Sequence, residues 1–435
     1  MTGSLKPCIL PSLFACISFS LSEPTSYAQA IKDPRWQHAM SDKFKAILVS
    51  QGFSQQPGLD YNQTFALVIK LSIVRLQSPR AWFHRLATFL LRLGFKESNP
   101  DHIMFIFQND GKILVLLIYV DDIAVFGSSK NLIHQFVSSM HSEFSMKDLG
   151  PLRYFLGVEL VPNSYGLLLL QGKYINDILT CFDLAESKPV LSPLHIKMDW
   201  NSVESPLLDD ASIFRQMVGS LQYLSFTRPY IQFTVNLASQ FLHKPRQIHL
   251  QSVKRIFLYL KGTIRNGIKL YARSPLSLTI YSDSDWAGCT STRRSISEFC
   301  IFLGNNLISW AAKKQPTVAR SSTEAEYRAL AIATAEATWL QFLLRDLGIF
   351  LKTPMLANCD NIGAIHLAHN PVYHSHSKYV ASDYHFIREK VNQGNLIVSH
   401  VHISQQLADL FTKVLSSTRF QDLLNNLYGR SSPLD

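Results

Sequence analysis

Residues 113–127 read ILVLLIYVDDIAVFG, and in this stretch two runs of β-prone apolar residues flank a pair of carboxylates, Asp121 and Asp122. Buried strands take the form of short continuous apolar runs, and two turn-forming residues between such runs indicate a tight β-hairpin. Two charged groups at the tip of an apolar hairpin are costly unless they are exposed, paired or bound to a cation. The pair therefore fits two interpretations: ordinary turn chemistry, or oxygen ligands for a divalent metal that binds phosphates.

The composition of the chain indicates a multidomain protein with a polyanionic partner. With 435 residues, about two or three domains are expected, and a hydrophobic content of 47% is enough to build their cores. The formal net charge of +10 suits a partner such as nucleic acid. The six cysteines contain no CxxC pair, which argues against a zinc ribbon or a disulfide framework and fits a reducing compartment.

The N-terminus imitates a secretory signal, because the apolar stretch CILPSLFACISFSL follows Lys6 and the small-residue segment SYAQA comes after it. Pro11 interrupts the apolar stretch, and the motifs that follow are typical of an intracellular protein. We therefore interpret residues 1–22 as a disordered leader and not as a signal peptide. No other run reaches the ~18 apolar residues that a membrane span needs, so no membrane partner is predicted.

Motifs on both sides of the hairpin resemble the polymerase domain of copia-type LTR retrotransposon Pol polyproteins. They are GFSQ at 52–55, DY at 60–61, TF at 64–65, YVDD at 119–122, MKDLG at 146–150 and YFLGVE at 154–159. The resemblance implies truncated reverse-transcriptase fingers and palm in residues 23–160 and a helical thumb and connection in residues 161–270. It also implies that Asp121 and Asp122 are catalytic metal ligands of the palm.

The polymerase motifs are interrupted by a discontinuity. KLSIVRL at 70–76 resembles an early part of the family's domain, whereas QSPRAW at 77–82 resembles a much later part. In the family, the segment between these two parts carries the first catalytic aspartate of the palm. A second join of this kind falls near residues 41–43. Both deletions in a decayed element and errors in gene modelling account for such joins. In either case we predict an inactive polymerase, although Asp121 and Asp122 remain.

The same resemblance assigns contacts to nucleic acid. On the palm side these are Gln77, Pro79 and Arg80, and in a hairpin that grips the primer they are Tyr154, Leu156 and Gly157. Lys254 and Arg255 lie on the polar side of a predicted amphipathic helix at 249–261. Such a face usually meets solvent, but beside a polymerase it is also placed to meet phosphates.

Residues 271–420 show the element order of an RNase H-like mixed sheet: strand, strand, strand, helix, strand, helix, strand, helix. Four acids fall on separate predicted elements: Asp283 on the first strand, Glu326 on the first helix, Asp360 at the end of the next strand and Asp409 on the last helix. This segment resembles the ribonuclease H of copia-type elements without interruption from about residue 276 to residue 413. Residues 421–435 are predicted to be a tail.

Four carboxylates suit the hydrolysis of a phosphodiester. In this class of nuclease two Mg²⁺ ions, with Mn²⁺ as an alternative, lie ~4 Å apart, so that one activates water and the other stabilises the leaving oxygen. Mg²⁺ keeps several waters and takes few carboxylates per ion. Each acid alone is most simply a surface carboxylate, but all four in this order favour a metal site.

Asp285 and Glu324 are near-duplicates of two of these acids. Glu326 is preferred over Glu324 because alanines follow it at i+3 and i+7 and place it on a packed helix face. Asp283 is preferred over Asp285 because the family motif has its acid at that position.

A zinc site is the rival interpretation for four histidines that cluster near a conceivable metal spacing: His366, His369, His374 and His376. Zinc sites need firmer Cys/His geometry, and Asn370-Pro371 interrupts the helix between the two pairs, so zinc is disfavoured. The family has a histidine where Tyr379 stands, which puts local substrate contacts in doubt. His385 keeps the family pattern.

Together these features predict an α/β (α+β) chain in which a partial reverse-transcriptase palm and connection precede an RNase H-like mixed-sheet domain. The resemblance implies an RNA-directed DNA polymerase and ribonuclease H that acts on an RNA–DNA hybrid, an RNA template and DNA. It also implies a cytoplasmic virus-like particle or the nucleus as the location. The nuclease keeps all four acids and is expected to be intact, in contrast to the polymerase. The alternative is a decayed relic that only binds nucleic acid.

Overall fold

The computed structural model describes residues 13–18, 78–119, 122–194, 199–200, 202, 204–289, 292–370, 381–413 and 415–428. The chain divides into two compact units, Met1–Leu152 and Arg153–Asp435. Among the described residues, no helix combines the length and the hydropathy needed to cross a lipid bilayer.

The first unit contains a six-stranded sheet and two helices among its described residues. Its elements are β1 (Leu13–Ser18), α1 (Ser78–Arg92), β2 (Lys96–Glu97), β3 (Met104–Asn109), β4 (Lys112–Tyr119), β5 (Asp122–Gly127), α2 (Lys130–Glu143) and β6 (Lys147–Asp148). The strands are ordered β2-β3-β4-β5-β1-β6. Strands β4 and β5 pair antiparallel with Tyr119 opposite Asp122, which confirms the predicted hairpin.

The helices of this unit pack against apolar residues of the sheet. On α2, the buried residues Ile133, Phe136, Val137 and Met140 follow the i, i+3, i+4, i+7 spacing of an amphipathic helix. They share one core with α1 and with residues of β3, β4 and β5 such as Leu116. The hairpin is therefore part of a packed sheet.

Strand β1 departs from the prediction of a disordered leader in residues 1–22. It pairs antiparallel with β5, with Ser18 opposite Asp122, and its other edge pairs with β6. Without it, β5 would present a row of unpaired backbone N–H and C=O groups, and an extended segment that satisfies them stabilises the sheet. The segment LFACIS supplies these partners.

Among its described residues, the second unit contains two sheets. Its elements up to residue 271 are β7 (Tyr154–Phe155), β8 (Val158–Asn163), β9 (Gly166–Leu170), α3 (Gly172–Cys181), α4 (Ser212–Leu224), a 3₁₀ turn (Pro229–Ile231), α5 (Gln232–Ser239), α6 (Gln247–Gly262) and β10 (Ile268–Tyr271). Strands β7 to β10 form an antiparallel sheet in the order β10-β9-β8-β7.

The later part of this unit is built on the other sheet. Its elements are β11 (Leu278–Asp285), β12 (Ile296–Leu303), β13 (Asn306–Lys314), α7 (Ser322–Asp346), β14 (Met355–Cys359), α8 (Ile362–His369), α9 (Ala381–Asn392), β15 (Leu396–His400), a second 3₁₀ turn (Ile403–Gln405), α10 (Asp409–Thr412) and α11 (Ser417–Tyr428). The strand order is β13-β12-β11-β14-β15. Because β13, β12 and β11 are antiparallel neighbours while β11, β14 and β15 run parallel, the predicted mixed sheet and the α/β (α+β) fold class are confirmed.

Alternating side chains along β11 and β12 fill two separate cores. Ile280 and Ile301 pack with α7, α8 and α9 on one side of the sheet. Tyr281, Cys300 and Phe302 pack on the other side with residues of α4, α5, α6, α10 and α11. The helices predicted as a separate thumb and connection therefore share a core with the mixed sheet.

Two further segments differ from the sequence prediction. The predicted tail begins inside α11, whose side chains Leu423, Leu424 and Leu427 are buried in that shared core. The last helix, which the sequence predicts to start in residues 405–413 and to carry Asp409, is reduced there to the four residues of α10. Its start is blocked because Gln406 is extended and buried and donates a side-chain hydrogen bond to the Ser282 carbonyl.

Candidate active site

The four predicted acids converge at one end of the mixed sheet. Since β11 and β14 run parallel, their C-terminal ends lie side by side, which places Asp283 of β11 near Asp360, the residue after β14. Asp409 begins α10, and carboxylate oxygens of Asp283, Asp360 and Asp409 lie within 4.8 Å of one another. An oxygen of Glu326, on α7, lies within 4.8 Å of an Asp360 oxygen and of the Cys359 sulfur.

Burial and mutual repulsion hold several of these groups toward the neutral form. Burial, followed by the charges of Asp283 and Asp360, raises the pKa of Glu326 to about 10. Burial also raises the pKa of Asp409 to about 6, against the opposing influence of Lys413. The pKa of Asp360 is raised by burial and then by Asp283. Acids arranged in this way ionise together only when cations are present.

Two basic side chains and a hydroxyl group lie against the acids. The Nζ atom of Lys413 is 3.1 Å from Oδ2 of Asp283 and 2.6 Å from Oδ1 of Asp409. Thr412 donates from Oγ1 to Oδ2 of Asp283 at 2.8 Å, and a guanidinium nitrogen of Arg419 lies 3.7 Å from Oδ2 of Asp409. Although burial lowers it, the pKa of Lys413 is raised overall by Asp283 and Asp409, so Lys413 carries its charge at neutral pH.

The near-duplicate acids are placed differently. Glu324 accepts a hydrogen bond from the Arg320 backbone and forms an ion pair of 2.7 Å with Arg328, so its two oxygens are engaged at the start of α7. Asp285 ends β11, and its carboxylate lies against Gly288, in the space that a Cβ at that glycine would occupy. The geometry favours Glu326 and Asp283 as the members of the cluster.

A fifth acid, Glu298, lies beside the cluster and was missed by the sequence reasoning. It stands on β12 directly opposite Asp283. Its side chain is fully buried, and within the described part of the chain neither carboxylate oxygen has a hydrogen-bond partner. Burial first, and then the charge of Asp283, raises the pKa of Glu298 well above its usual value. The available signal was a lone glutamate in the apolar strand ISEFCIFL at 296–303.

The donor set of the cluster fits hard divalent cations. Mg²⁺ and Mn²⁺ prefer oxygen ligands such as the carboxylates of Asp283, Asp360 and Asp409. In the part of the chain that the structure describes, Oε2 of Glu326 is buried without a hydrogen-bond partner, as expected of an atom that takes a ligand from outside the protein. Burial raises the pKa of the Cys359 thiol, so this neighbour stays neutral and is a poor ligand for a hard cation.

The structure describes only some of the site residues that were predicted on the polymerase side. Asp122 begins β5, whereas Asp121 and Gln77 lie outside the described residues. Pro79 and Arg80 belong to the first turn of α1. The neighbour of β5 opposite to β4 is β1, whose sequence LFACIS contains no acid. The register therefore places Ser18, and no carboxylate, opposite Asp122.

The predicted primer-gripping residues form a tight turn. Leu156 and Gly157 join β7 to β8 with φ angles of 47° and 71°, the left-handed values that a two-residue type I′ hairpin requires. Tyr223 donates to the Leu156 carbonyl and occupies the space that a Cβ at Gly157 would need. Tyr154, on β7, is 49% exposed and so is accessible to a ligand.

The basic helix face offers one accessible cation of the two predicted. On α6, Lys254 is exposed, whereas Arg255 is half-buried and donates to Oγ of Ser192. A guanidinium group that is held in this way is less available to a phosphate than the exposed ammonium group is.

The histidines form no metal-capable group within the described residues. His366 and His369 lie on α8, and Nε2 of His369 is 3.2 Å from the Val398 carbonyl oxygen. His374, His376 and Tyr379 fall outside the described residues, while His385 is exposed on α9. The four-histidine arrangement of the zinc alternative therefore lies partly outside the described residues.

Comparison with known proteins places this chain among transposon proteins. A family model described as "Reverse transcriptase (RNA-dependent DNA polymerase)" matches residues 76–196. The chain is 36% identical, over 98% of its length and 36% of the relative, to the "Retrovirus-related Pol polyprotein from transposon RE1" of Arabidopsis thaliana. It is 31% identical, over 58% of its length and 82% of the relative, to the "Putative transposon Ty5-1 protein YCL074W" of Saccharomyces cerevisiae.

A solved foamy viral protease-reverse transcriptase in complex with an RNA/DNA hybrid is also similar, with 14% identity and a TM-score of 0.43. That similarity covers 94% of this chain and 46% of the viral chain. The chain spans about a third of the length of the curated polyproteins it matches, with 36% and 34% of two Arabidopsis relatives covered. The alignment with RE1 extends over 524 positions, although the chain has 435 residues, so the relative contains positions that this chain lacks.

Proposed function

Since the chain belongs to the retrovirus-related Pol polyproteins of Ty1/copia-type transposons, we propose that its site of Asp283, Glu326, Asp360 and Asp409 is a metal-dependent ribonuclease H. Its substrate is the RNA strand of an RNA–DNA hybrid. The observation that carries the proposal is the convergence of oxygens from Asp283, Asp360 and Asp409 within 4.8 Å. These acids come from separate elements that lie far apart in the sequence.

The four carboxylates are the residues that would hold two Mg²⁺ or Mn²⁺ ions, and such ions supply an activated water and a stabilised leaving oxygen. The chain's own residues prepare the site. Thr412 orients Asp283 through the hydrogen bond to Oδ2, and Gln406 holds the β11 backbone at Ser282. Glu326 retains a proton at neutral pH in the metal-free protein, because its pKa is about 10.

The proposed partners are the RNA–DNA hybrid, an RNA template and DNA, bound largely through their backbones. The net charge of +10 favours such partners. In the second unit, the exposed side chains of Tyr154 and Lys254 and the turn at Leu156 and Gly157 are the candidate contacts.

Cleavage of a labelled RNA–DNA hybrid by the full-length chain in Mg²⁺ tests the proposal. Asp283→Asn is expected to reduce cleavage at least ~100-fold, because even the groups behind metal ligands cost 10–100-fold when they are lost. Asp422→Asn, at an exposed position of α11, removes one carboxylate that belongs to no metal-capable group among the described residues and is expected to leave cleavage unchanged. Cleavage that Asp283→Asn does not alter would refute the assignment. A folded wild-type protein that binds the hybrid without cutting it would support the relic alternative.

We also propose that the first unit does not copy RNA into DNA. Polymerisation needs a clamp of two metal ions and the acids that hold them. The RE1 relative contains positions that this chain lacks, and the strand paired with β5 beside Asp122 carries no acid. Primer extension by the full-length chain on an RNA template in Mg²⁺ is expected to give no product. Template-dependent synthesis would overturn this proposal and leave the nuclease proposal intact.

A further inference from the structure

Lys413 occupies the space between two of the proposed metal ligands. Its Nζ atom lies 3.1 Å from Oδ2 of Asp283 and 2.6 Å from Oδ1 of Asp409. The side chains of the two aspartates are only 2% and 4% exposed, whereas that of Lys413 is 40% exposed. The ammonium group is thus a cation at the mouth of a buried acidic site, on a stem that has room to turn toward solvent.

Local structure places this lysine over both acids. Lys413 follows α10 directly, and its backbone N–H donates to the Asp409 carbonyl at 3.2 Å. Arg419, in contrast, reaches Asp409 at 3.7 Å and also donates to the carbonyls of Ile403 and Ser404. Among the residues that the structure describes, Lys413 is therefore the cation that contacts both Asp283 and Asp409.

Lys413 contacts two of the three carboxylates that form the metal-capable group, those of Asp283 and Asp409. Oδ2 of Asp283 already accepts hydrogen bonds from Thr412 and Lys413. A cation bound by Asp283, Asp360 and Asp409 enters the same small volume, because their ligand atoms lie within 4.8 Å of one another. Mg²⁺ binds its ligands at ~2.0–2.1 Å, and a neighbouring ammonium group on the same carboxylates repels it. The two cations therefore compete.

We propose that Lys413 is a resident counter-ion of the metal-free site, which leaves Asp283 and Asp409 when a divalent cation binds and so limits the affinity of the site for that cation. This inference rests on the proposed function, because it takes the two aspartates as metal ligands. Lys413 acts through them and is a positioning residue. Because Lys413 and the metal replace each other, the negative charge of the buried acids is balanced both in the metal-free and in the metal-bound protein.

Titration calorimetry of Mn²⁺ into the full-length protein, free of nucleic acid, tests the inference. Lys413→Met keeps an unbranched stem and removes the charge. Its dissociation constant for Mn²⁺ is expected to be lower than that of the wild type by about tenfold or more, since a partly buried ion pair no longer competes. The melting temperature in chelator is expected to fall, because the acids lose their cation. Lys413→Arg, which keeps a cation, is expected not to tighten Mn²⁺ binding.

The matched control is Lys390→Met on α9, which removes the same charge from an ammonium group that lies over the Phe386 ring. It is expected to leave the dissociation constant unchanged. Equal or weaker Mn²⁺ binding by Lys413→Met overturns the counter-ion role, since a merely structural lysine would support the site. Absence of Mn²⁺ binding by the wild type and by Lys413→Met would instead refute the metal site itself, which separates the two proposals.

A second measurement applies if Lys413→Met does not stay folded without metal. The variant is then purified with Mn²⁺, and the release of the ion to a chelator is followed. Slower release than from the wild type supports the counter-ion role, and equal or faster release overturns it.

Discussion

Asp283 and Glu298 lie directly opposite each other on the antiparallel strands β11 and β12. Opposed residues in such a pair project from the same face of the sheet, with Cβ atoms ~4.5–5.5 Å apart. Glu298 is therefore a neighbour of a proposed metal ligand, and within the described structure its buried oxygens have no hydrogen-bond partner. A carboxylate in this position imposes an electrostatic cost on the metal-free fold.

Glu298→Gln is expected to stabilise the metal-free protein at pH 8. Burial and then Asp283 raise the pKa of Glu298, so its contribution to stability is complete below the pKa of the unfolded chain and is lost as the pH rises toward the folded pKa. Burying a group that tends to ionise costs free energy that its neutral isostere avoids, so we expect a gain in the free energy of unfolding at pH 8. Near pH 4 the gain should vanish. Urea unfolding in chelator measures both.

The matched control is Glu389→Gln, which removes a carboxylate at an exposed position of α9 and should give no gain. If Glu298→Gln is no more stable than the wild type at pH 8, the carboxylate of Glu298 is satisfied in solution and the cost assigned to it is wrong.

Mg²⁺ binding is expected to release about one proton per molecule at pH 8, because a carboxylate must be deprotonated to bind a metal. The pKa of about 10 keeps Glu326 protonated in the metal-free protein at this pH. Calorimetry in two buffers with different heats of ionisation measures the released protons. Glu326→Gln has no proton to give and should release fewer. Binding heats that do not depend on the buffer would show that Glu326 is ionised before the metal arrives.

Local pattern was enough to choose between neighbouring acids, but not to find Glu298. The alanines that follow Glu326 at i+3 and i+7, Ala329 and Ala333, are fully buried, and Glu326 lies on their side of α7. The position of Glu298 beside Asp283 depends instead on the register between β11 and β12. That register is set by the packing of the whole sheet, so a lone glutamate in an apolar strand does not by itself show which acid it faces.

The other departures from prediction also have non-local causes, with one exception. β1 is a strand because the edge of β5 needs partners, and α10 is short because Gln406 is anchored to Ser282. In both cases the partner lies outside the segment that is shaped: β5 is the partner of β1, and Ser282 is the partner of Gln406. The exception is α11, where the apolar pattern of Leu423, Leu424 and Leu427 is visible in the sequence and does predict a buried helix face.

Gly157→Ala is expected to lower the free energy of unfolding by about 1–3 kcal/mol, because its φ of 71° strains any residue with a Cβ and the added atom meets Tyr223. Gly394→Ala is the matched control: its φ is 69°, but nothing lies within 4 Å of the added Cβ. Gly157→Ala should therefore cost more than Gly394→Ala in urea unfolding. Equal costs would show that Tyr223 does not pack against the turn.

We expect that residues 271–420, which the sequence predicts to be the nuclease domain, do not fold stably alone. Residues 153–428, in contrast, are expected to fold stably. One side of the mixed sheet, which includes Tyr281, Cys300 and Phe302, shares its core with α4, α5 and α6 and with α11. The shorter fragment lacks the first three helices and ends within α11, so an apolar face that large is left open to water and to association. Size-exclusion chromatography, dye binding to exposed apolar surface and thermal unfolding of both fragments measure the difference. We expect cooperative unfolding only for residues 153–428. A monomeric, cooperatively unfolding 271–420 fragment would mean that the sheet is stable without the helices, and the predicted boundary at residue 270 would then be a true domain boundary.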